Sequence, residues 1–311
     1  MSEAELATLA AILAAMIRAA TPLVFAALGE LVTERAGVLN LGLEGMMLMG
    51  AVSAFGTAHA GAGYAAAMAA GALAGVGMSL LFAFLALALR ANQVACGLAL
   101  SIFGVGLSAF VGKTLVGTPI AALPAIAIPL LSDIPVLGPA LFSHDILVYA
   151  SIFAVPAIGW FLFRTRAGLI LRAVGENHDA AHDIGYGVLK VWTLAVMFGG
   201  AMAGLAGSYL SLAYTPMWVE NMSSGRGWIA LALVVFATWV PARALLGAYL
   251  FGGVTILQLH AQNWGVPVSS QILAMLPYLA TIVVLVLISR DETKIKLNAP
   301  ACLGKVFHSG R

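Results

Sequence analysis

Apolar residues along this chain fall in runs of about twenty, separated by short polar turns, and a run of that length is what a helix needs to cross about 30 Å of hydrocarbon. About nine spans can be drawn: Leu6–Leu31, Val38–Ala58, Tyr64–Leu89, Gln93–Val111, Asp145–Phe163, Val191–Ala213, Trp228–Val240, Leu245–Ala261 and Gln271–Ser289. The seventh is short, so the count lies at roughly eight to ten. The predicted fold is an all-α, polytopic transmembrane bundle. Residues 112–145 break the pattern, because the prolines at 119, 124, 129, 135 and 139 forbid a continuous helix. That connection is expected outside the membrane or partly re-entrant.

Composition agrees with the pattern: 62% of residues are hydrophobic and 9% charged, against about 25% charged in a soluble domain. A surface so poor in charge requires lipid as its solvent. The opening residues, MSEAELATL, are acidic where a cleavable signal would be basic, so the first apolar run is expected to stay as a span. A net charge of +2 gives no footprint for nucleic acid.

Basic residues set the orientation, since Lys and Arg of short loops stay cytoplasmic. With nine spans and the C-terminus inside, Arg35, Arg90, Arg164, Arg166, Arg172, Lys190, Arg243, Arg290, Lys294, Lys296, Lys305 and Arg311 are cytoplasmic. Lys113 and Arg226 fall outside, and Arg18 lies within the first span. Cys96 and Cys302 come to or near the cytoplasmic side, where thiols stay reduced, and read as structural. Asn40–Ala51 and Ile229–Gly253 both set glycines among large apolar residues, a pattern that an inverted internal repeat with broken helices would produce.

Candidate chemistry is sparse. The long loop from Arg164 to Lys190 contains a short amphipathic helix: Ala180, Ala181, Ile184 and Val188 share one face, and His178, Asp179, His182 and Asp183 the other. Asn177 suits its N-cap, and Gly185 or Gly187 its stop. His178 and His182 have the spacing of zinc ligands, but Asp179 stands where a general-base Glu would be and no third ligand is evident, so they are expected to be solvated rather than metal-bound. Gly106–Thr114 fails as a phosphate loop, because five residues separate Gly106 from Gly112 and the required spacing is four. The chain is not expected to bind ATP itself.

Ionisable groups inside spans are functional candidates by default. Glu44 follows Asn40 by four residues, so the two are expected on one helix face. Glu44 could equally pair with Arg35 or Arg18, and Glu30 and Glu34 have the same two readings. Tyr214–Trp228 collects aromatic and polar groups, including Trp218 and Glu220, which suit a heterocyclic or sugar-like ligand or an interfacial belt. Asn40, Glu44, Trp218 and Glu220 are the candidates for a substrate path. The pairs Gly200/Gly204, Gly71/Gly75 and Gly42/Met46 mark close helix approach or nothing. No Ser/His or paired-Asp arrangement lies within the spans, so no catalytic residue is assigned.

Gly29–Ala51 (GELVTERAGVLNLGLEGMMLMGA) and Gly168–Val188 (GLILRAVGENHDAAHDIGYGV) resemble the signature and the coupling loop of bacterial ABC-importer permeases, in the nucleoside and simple-sugar subgroup of the ribose and branched-chain amino-acid branch. GWIALALVVFATW, LLGAYLFGG, MLPYLATIVVLVL and APACLGKVF extend the likeness over nearly the whole chain, while His178 stands where that pattern has a proline. The resemblance implies one permease domain over residues 1–311, with a coupling loop at 164–190 and a cytoplasmic tail at 290–311. It implies a second permease chain, a cytosolic ATPase and an external binding protein as partners, and no cofactor. Arg172, Gly175, Asn177, Ala180, Ala181, Asp183 and Gly185 would serve ATPase coupling, and the substrate would be a nucleoside or otherwise a sugar.

Overall fold

The computed structural model describes residues 3–132, 134–263 and 298–308, with isolated positions between 269 and 286. Among the described residues six helices are long and apolar enough to cross a membrane: Glu5–Arg35, Tyr64–Ala88, Gln93–Leu115, Ile146–Arg164, Val188–Tyr214 and Pro241–Gln262. They correspond to the first, third, fourth, fifth, sixth and eighth expected spans. Most of the ninth, Gln271–Ser289, lies outside the described residues, as does half of the tail.

Helix α1, Glu3–Arg35, is the central pillar, buried continuously from Ala19 to Val38 as the chain leaves it. Its neighbours include α6 (Ile146–Arg164), α9 (Val188–Tyr209), α10 (Arg226–Phe236) and α11 (Pro241–Asn263). Asp145 opens α6 by accepting the N–H groups of Leu147 and Val148 at 3.0 and 3.2 Å. Helices α3 (Tyr64–Phe82) and α9 each run on into a π-helical turn, Ala83–Ala88 and Leu210–Tyr214.

Glycine holds the bundle together where lipid supplies no hydrophobic drive between helices. A Cβ on Gly204 of α9 would strike the Gly71 carbonyl of α3, and one on Gly50 of α2 (Leu43–His59) would lie 2.5 Å from the Gly204 backbone. Gly75 and Gly200 form the next contact along the same seam. Facing outward, Ile102, Phe110 and Phe153 are more than 70% exposed, as lipid-facing side chains of a membrane bundle are.

Two of the expected spans are not span-length helices. Helix α2 has 17 residues and begins at Leu43, leaving residues 36–42 non-helical. Helix α10 has 11 residues and is about 16 Å long. The proline-rich connection forms no long helix; β1 (Ala125–Ala127) pairs antiparallel with β2 (Ser143–Asp145), and α5 (Leu137–Leu141) lies between them in sequence. Bridges from Val116 to Trp218 and from Pro119 to Met217 fasten this connection to the loop after α9. Gly106 and Gly112 sit within one continuous helix, α4 (Gln93–Gly112), so no phosphate-cradling turn exists there.

Candidate gate and coupling site

Residues 36–42 pass through the bundle without helical hydrogen bonds, so their polar groups need other partners. Leu39 N–H donates to Gln93 Oε1 at 2.9 Å, and Asn40 N–H to Glu30 Oε1 at 3.0 Å. Asn40 Oδ1 accepts from Gly42 N–H at 2.9 Å, while the Leu41 carbonyl accepts from Ser101 Oγ at 2.7 Å. Gly45, just beyond, packs against Gly104, which lies about 16 Å along α4 from Gln93. The linker therefore climbs from one end of the bundle to its interior, where α2 starts.

At that depth the start of α2 meets the start of α10. Glu44 Oε1 accepts from Ser223 Oγ at 2.5 Å and Gly225 N–H at 2.8 Å, and Oε2 accepts from Gly227 N–H at 2.7 Å. A carboxylate is thus set on the positive end of the α10 dipole and satisfies N–H groups that the first turn leaves free. Gly225, at φ +82°, allows the sharp approach into the helix. Glu44 is 4% exposed. Both its oxygens are occupied within the chain, so it acts as a latch between two half-helices.

The far end of α10 is gripped too. Arg35 Nε and Nη2 donate to the Trp239 carbonyl at 3.2 and 3.0 Å, and Trp239 Nε1 donates to Glu34 Oε2 at 2.6 Å. Thr238 and Trp239 both adopt positive φ to close the helix. The pairings of Glu44 with Arg35 or Arg18 are not formed: Arg18 Nη2 donates to the Ala213 carbonyl at 3.0 Å. The SSGRG run before a short apolar block was the available signal for the α10 start. Nothing local marks Trp239 as the partner of α1.

The other path candidates separate. Asn40 is not on a helix and shares no helix face with Glu44; it shapes the linker, because the backbone is non-helical until Leu43. Trp218 is fully buried against Leu48, Ala51, Val52 and Phe55 near the other end of α2. Glu220 is exposed.

The loop 164–190 forms α7 (Arg166–Glu176) and α8 (His178–Asp183). Thr165 caps α7 and Asn177 caps α8, each side chain accepting a backbone N–H three residues on, at 3.0 and 2.9 Å. Gly185, at φ +96°, ends the segment. Arg172 turns inward: its Nε donates to the Leu162 carbonyl at 3.0 Å, and its guanidinium lies over the Phe163 ring. Gly175 seats α7 on the end of α1, since a Cβ there would strike the Arg35 carbonyl. Ala181 is buried, whereas Ala180, Asp183 and Ile184 are exposed. His178 is buried against Trp192 and Phe307, so the helix is rolled from its expected orientation and this histidine is not solvated.

A short helix latched inside a bundle of long apolar helices is the architecture of a polytopic membrane protein. The family model described as branched-chain amino acid transport system, permease component, matches residues 12–288, and the chain belongs to that family. It is 40% identical to a putative glucose ABC transporter permease of Haloferax volcanii, covering 94% of this chain and 96% of the relative. It is 35% identical to a guanosine ABC transporter permease of Bacillus subtilis, covering 92% and 94%, and 34% identical to a nucleoside ABC transporter permease of Lactococcus lactis, covering 90% and 92%. No solved structure matches the chain. The protein is therefore a multi-pass membrane permease subunit of an ABC transporter, a reading favoured over an ion-coupled carrier or channel.

Proposed function

We propose that this chain forms the translocation path of an importer for a nucleoside or a simple sugar, and that a separate cytosolic ATPase drives it through α7 and α8. The carrying observation is the meeting of two helix N-termini at Glu44, inside the bundle and reached by non-helical chain from opposite ends. Broken helices that meet at depth are where transporters place their substrate sites. The reading is one permease domain over residues 1–311 with about nine spans. In it the coupling loop at 164–190 and the tail at 290–311 lie on the cytoplasmic side, as the positive-inside rule supports. The pairing of linker plus α2 with loop plus α10 supports an inverted repeat.

Exposed Ile184, Ala180 and Asp183 give α8 an apolar knob with an acidic flank, suited to a groove in the ATPase. Arg172, Gly175, Asn177, Ala181 and Gly185 hold that knob in place. A second permease chain and an external binding protein complete the assembly; Bacillus subtilis has two guanosine permease chains related to this one, which supports a heterodimer. Three nucleoside or guanosine permease relatives favour a nucleoside, and the relative from Haloferax favours a sugar.

Uptake of labelled guanosine and glucose into proteoliposomes carrying the permease pair, ATPase and binding protein distinguishes these substrates. Uptake should require ATP and the binding protein. Uptake driven by an ion gradient without any ATPase would overturn the reading.

A further inference from the structure

Among the described tail residues, 298–308, several are stitched to three elements far away in sequence. Cys302 N–H donates to the Gly175 carbonyl at the end of α7 at 2.9 Å, and Cys302 Sγ–H to the Glu176 carbonyl at 3.3 Å. Gly304 N–H donates to the Gly37 carbonyl of the linker at 3.0 Å. The Lys305 carbonyl accepts from Gln93 Nε2 at 3.4 Å, and the same Gln93 side chain holds Leu39 through its oxygen. Beyond these stitches Phe307, 5% exposed, sits edge-on to the rings of His178, His182 and Trp192, with centroids 5.4, 5.2 and 6.2 Å away. Trp192 Nε1 in turn donates to the Ala36 carbonyl at 2.7 Å.

Helix α8 has six residues and buries only His178 and Ala181 of its own. So short a helix cannot hold its position by itself. Phe307 covers its His178–His182 side, and the tail leads from there by backbone bonds to Gly37, seven residues before Glu44.

We propose that tail residues 300–307 are a force-transmitting strap, with Phe307 as the positioning residue, tying helix α8 to the linker 36–42 and so to the Glu44 latch. The strap rests on the reading that α8 receives the ATPase. Movement of α8 then pulls on Gly37 through Phe307, Gly304 and Cys302, in addition to the direct seat of Gly175 on α1. The elements joined are packed and hydrogen-bonded in sequence, a contiguous network of the kind that can carry coupling between distant sites.

The test uses the full transporter with Phe307→Ala, Phe307→Leu and, separately, Ile184→Glu. Phe307→Ala should still co-purify with the ATPase and be monodisperse, yet its uptake per ATP hydrolysed should fall about fivefold or more, while Phe307→Leu stays within about twofold of wild type. Amide exchange at Leu39 and Gly42 should rise in Phe307→Ala, a readout that needs no transport. Unchanged uptake per ATP, or unchanged exchange at the linker, overturns the strap. Loss of the ATPase from Phe307→Ala also overturns it, since the tail would then be a docking surface. Ile184→Glu should lose the ATPase; if it is retained, the docking assignment fails independently of what Phe307 does.

Discussion

Glu44 carries more of the architecture than any other charged side chain described. An ionised carboxylate is acceptor-only, and here its two oxygens serve two backbone N–H groups and one hydroxyl. Glutamine at this position, whichever way it is turned, brings an N–H₂ donor against a donor. A hydrogen bond to a charged group contributes about 1.5–3 kcal/mol, a large share of a margin of about 5–15 kcal/mol. Glu44→Gln is expected to lower the melting temperature by several degrees and to cut uptake about tenfold, with Ser223→Ala milder because it removes one of the three bonds and leaves no donor facing a donor. A Glu44→Gln protein that melts and transports as wild type would show that the latch carries nothing. The sequence marked Glu44 as unusual, since a carboxylate in an apolar run is costly. Its partners were not legible, because they lie some 180 residues away and no local pattern pairs them. Asn40 misled for a related reason: hydropathy does not reveal where the backbone of an apolar run stops being helical.

Among elements, α8 shows how far a local pattern reaches. Its caps, Asn177 and Gly185, were readable because they depend on neighbouring residues alone. Its buried face was not, because Phe307 from the tail covers His178 and rolls the helix. That burial lowers the pKa of His178, a direction opposed by Asp179, whose carboxylate is 3.5 Å away, and aided by Lys305 and His308. The other faces around the ring are Trp192 and Phe307, which are neutral. A histidine with a depressed folded pKa contributes stability that is present above its unfolded value of about 6.5 and is lost as pH falls through the folded value. Protection of the tail from proteolysis should therefore weaken below about pH 6.5, and His178→Gln should flatten that dependence. Equal acid sensitivity in both proteins would rule out His178 as its source. The seam of α3 and α9 is a contrasting case, since the spacing of Gly71/Gly75 and of Gly200/Gly204 allowed close helix approach without saying which helix each would meet. Gly204→Val sets a branched side chain against the Gly71 backbone, which cannot yield as a side chain can, and should cost about 3 kcal/mol, seen as a lowered melting temperature.

At the scale of the whole molecule, six of the nine apolar runs coincide with span-length helices among the described residues, and basic residues predict which end faces the cytosol. The structure gathers Arg35, Arg172 and Lys305 at one end of the bundle and places the β1–β2 hairpin and the Tyr64–Ala121 bond at the other. Arg226, one of the two basic residues on the wrong side of the count, has a local explanation: its Nη1 donates to the Met222 and Ser223 carbonyls, and its guanidinium lies over the Tyr214 ring. A cation committed to the start of α10 is a structural part and not a topological signal, so it does not weaken the assignment. On a cysteine-free background, Ile184→Cys and Ile126→Cys place thiols at two well-exposed positions, 74% and 46% exposed in the parent chain, at opposite ends of the bundle. A membrane-impermeant maleimide added to intact cells should label Ile126→Cys and spare Ile184→Cys, and inside-out vesicles should reverse the result. Labelling of Ile184→Cys from outside would invert the bundle, remove α8 from any cytosolic motor and overturn the coupling scheme, even with the Glu44 latch intact.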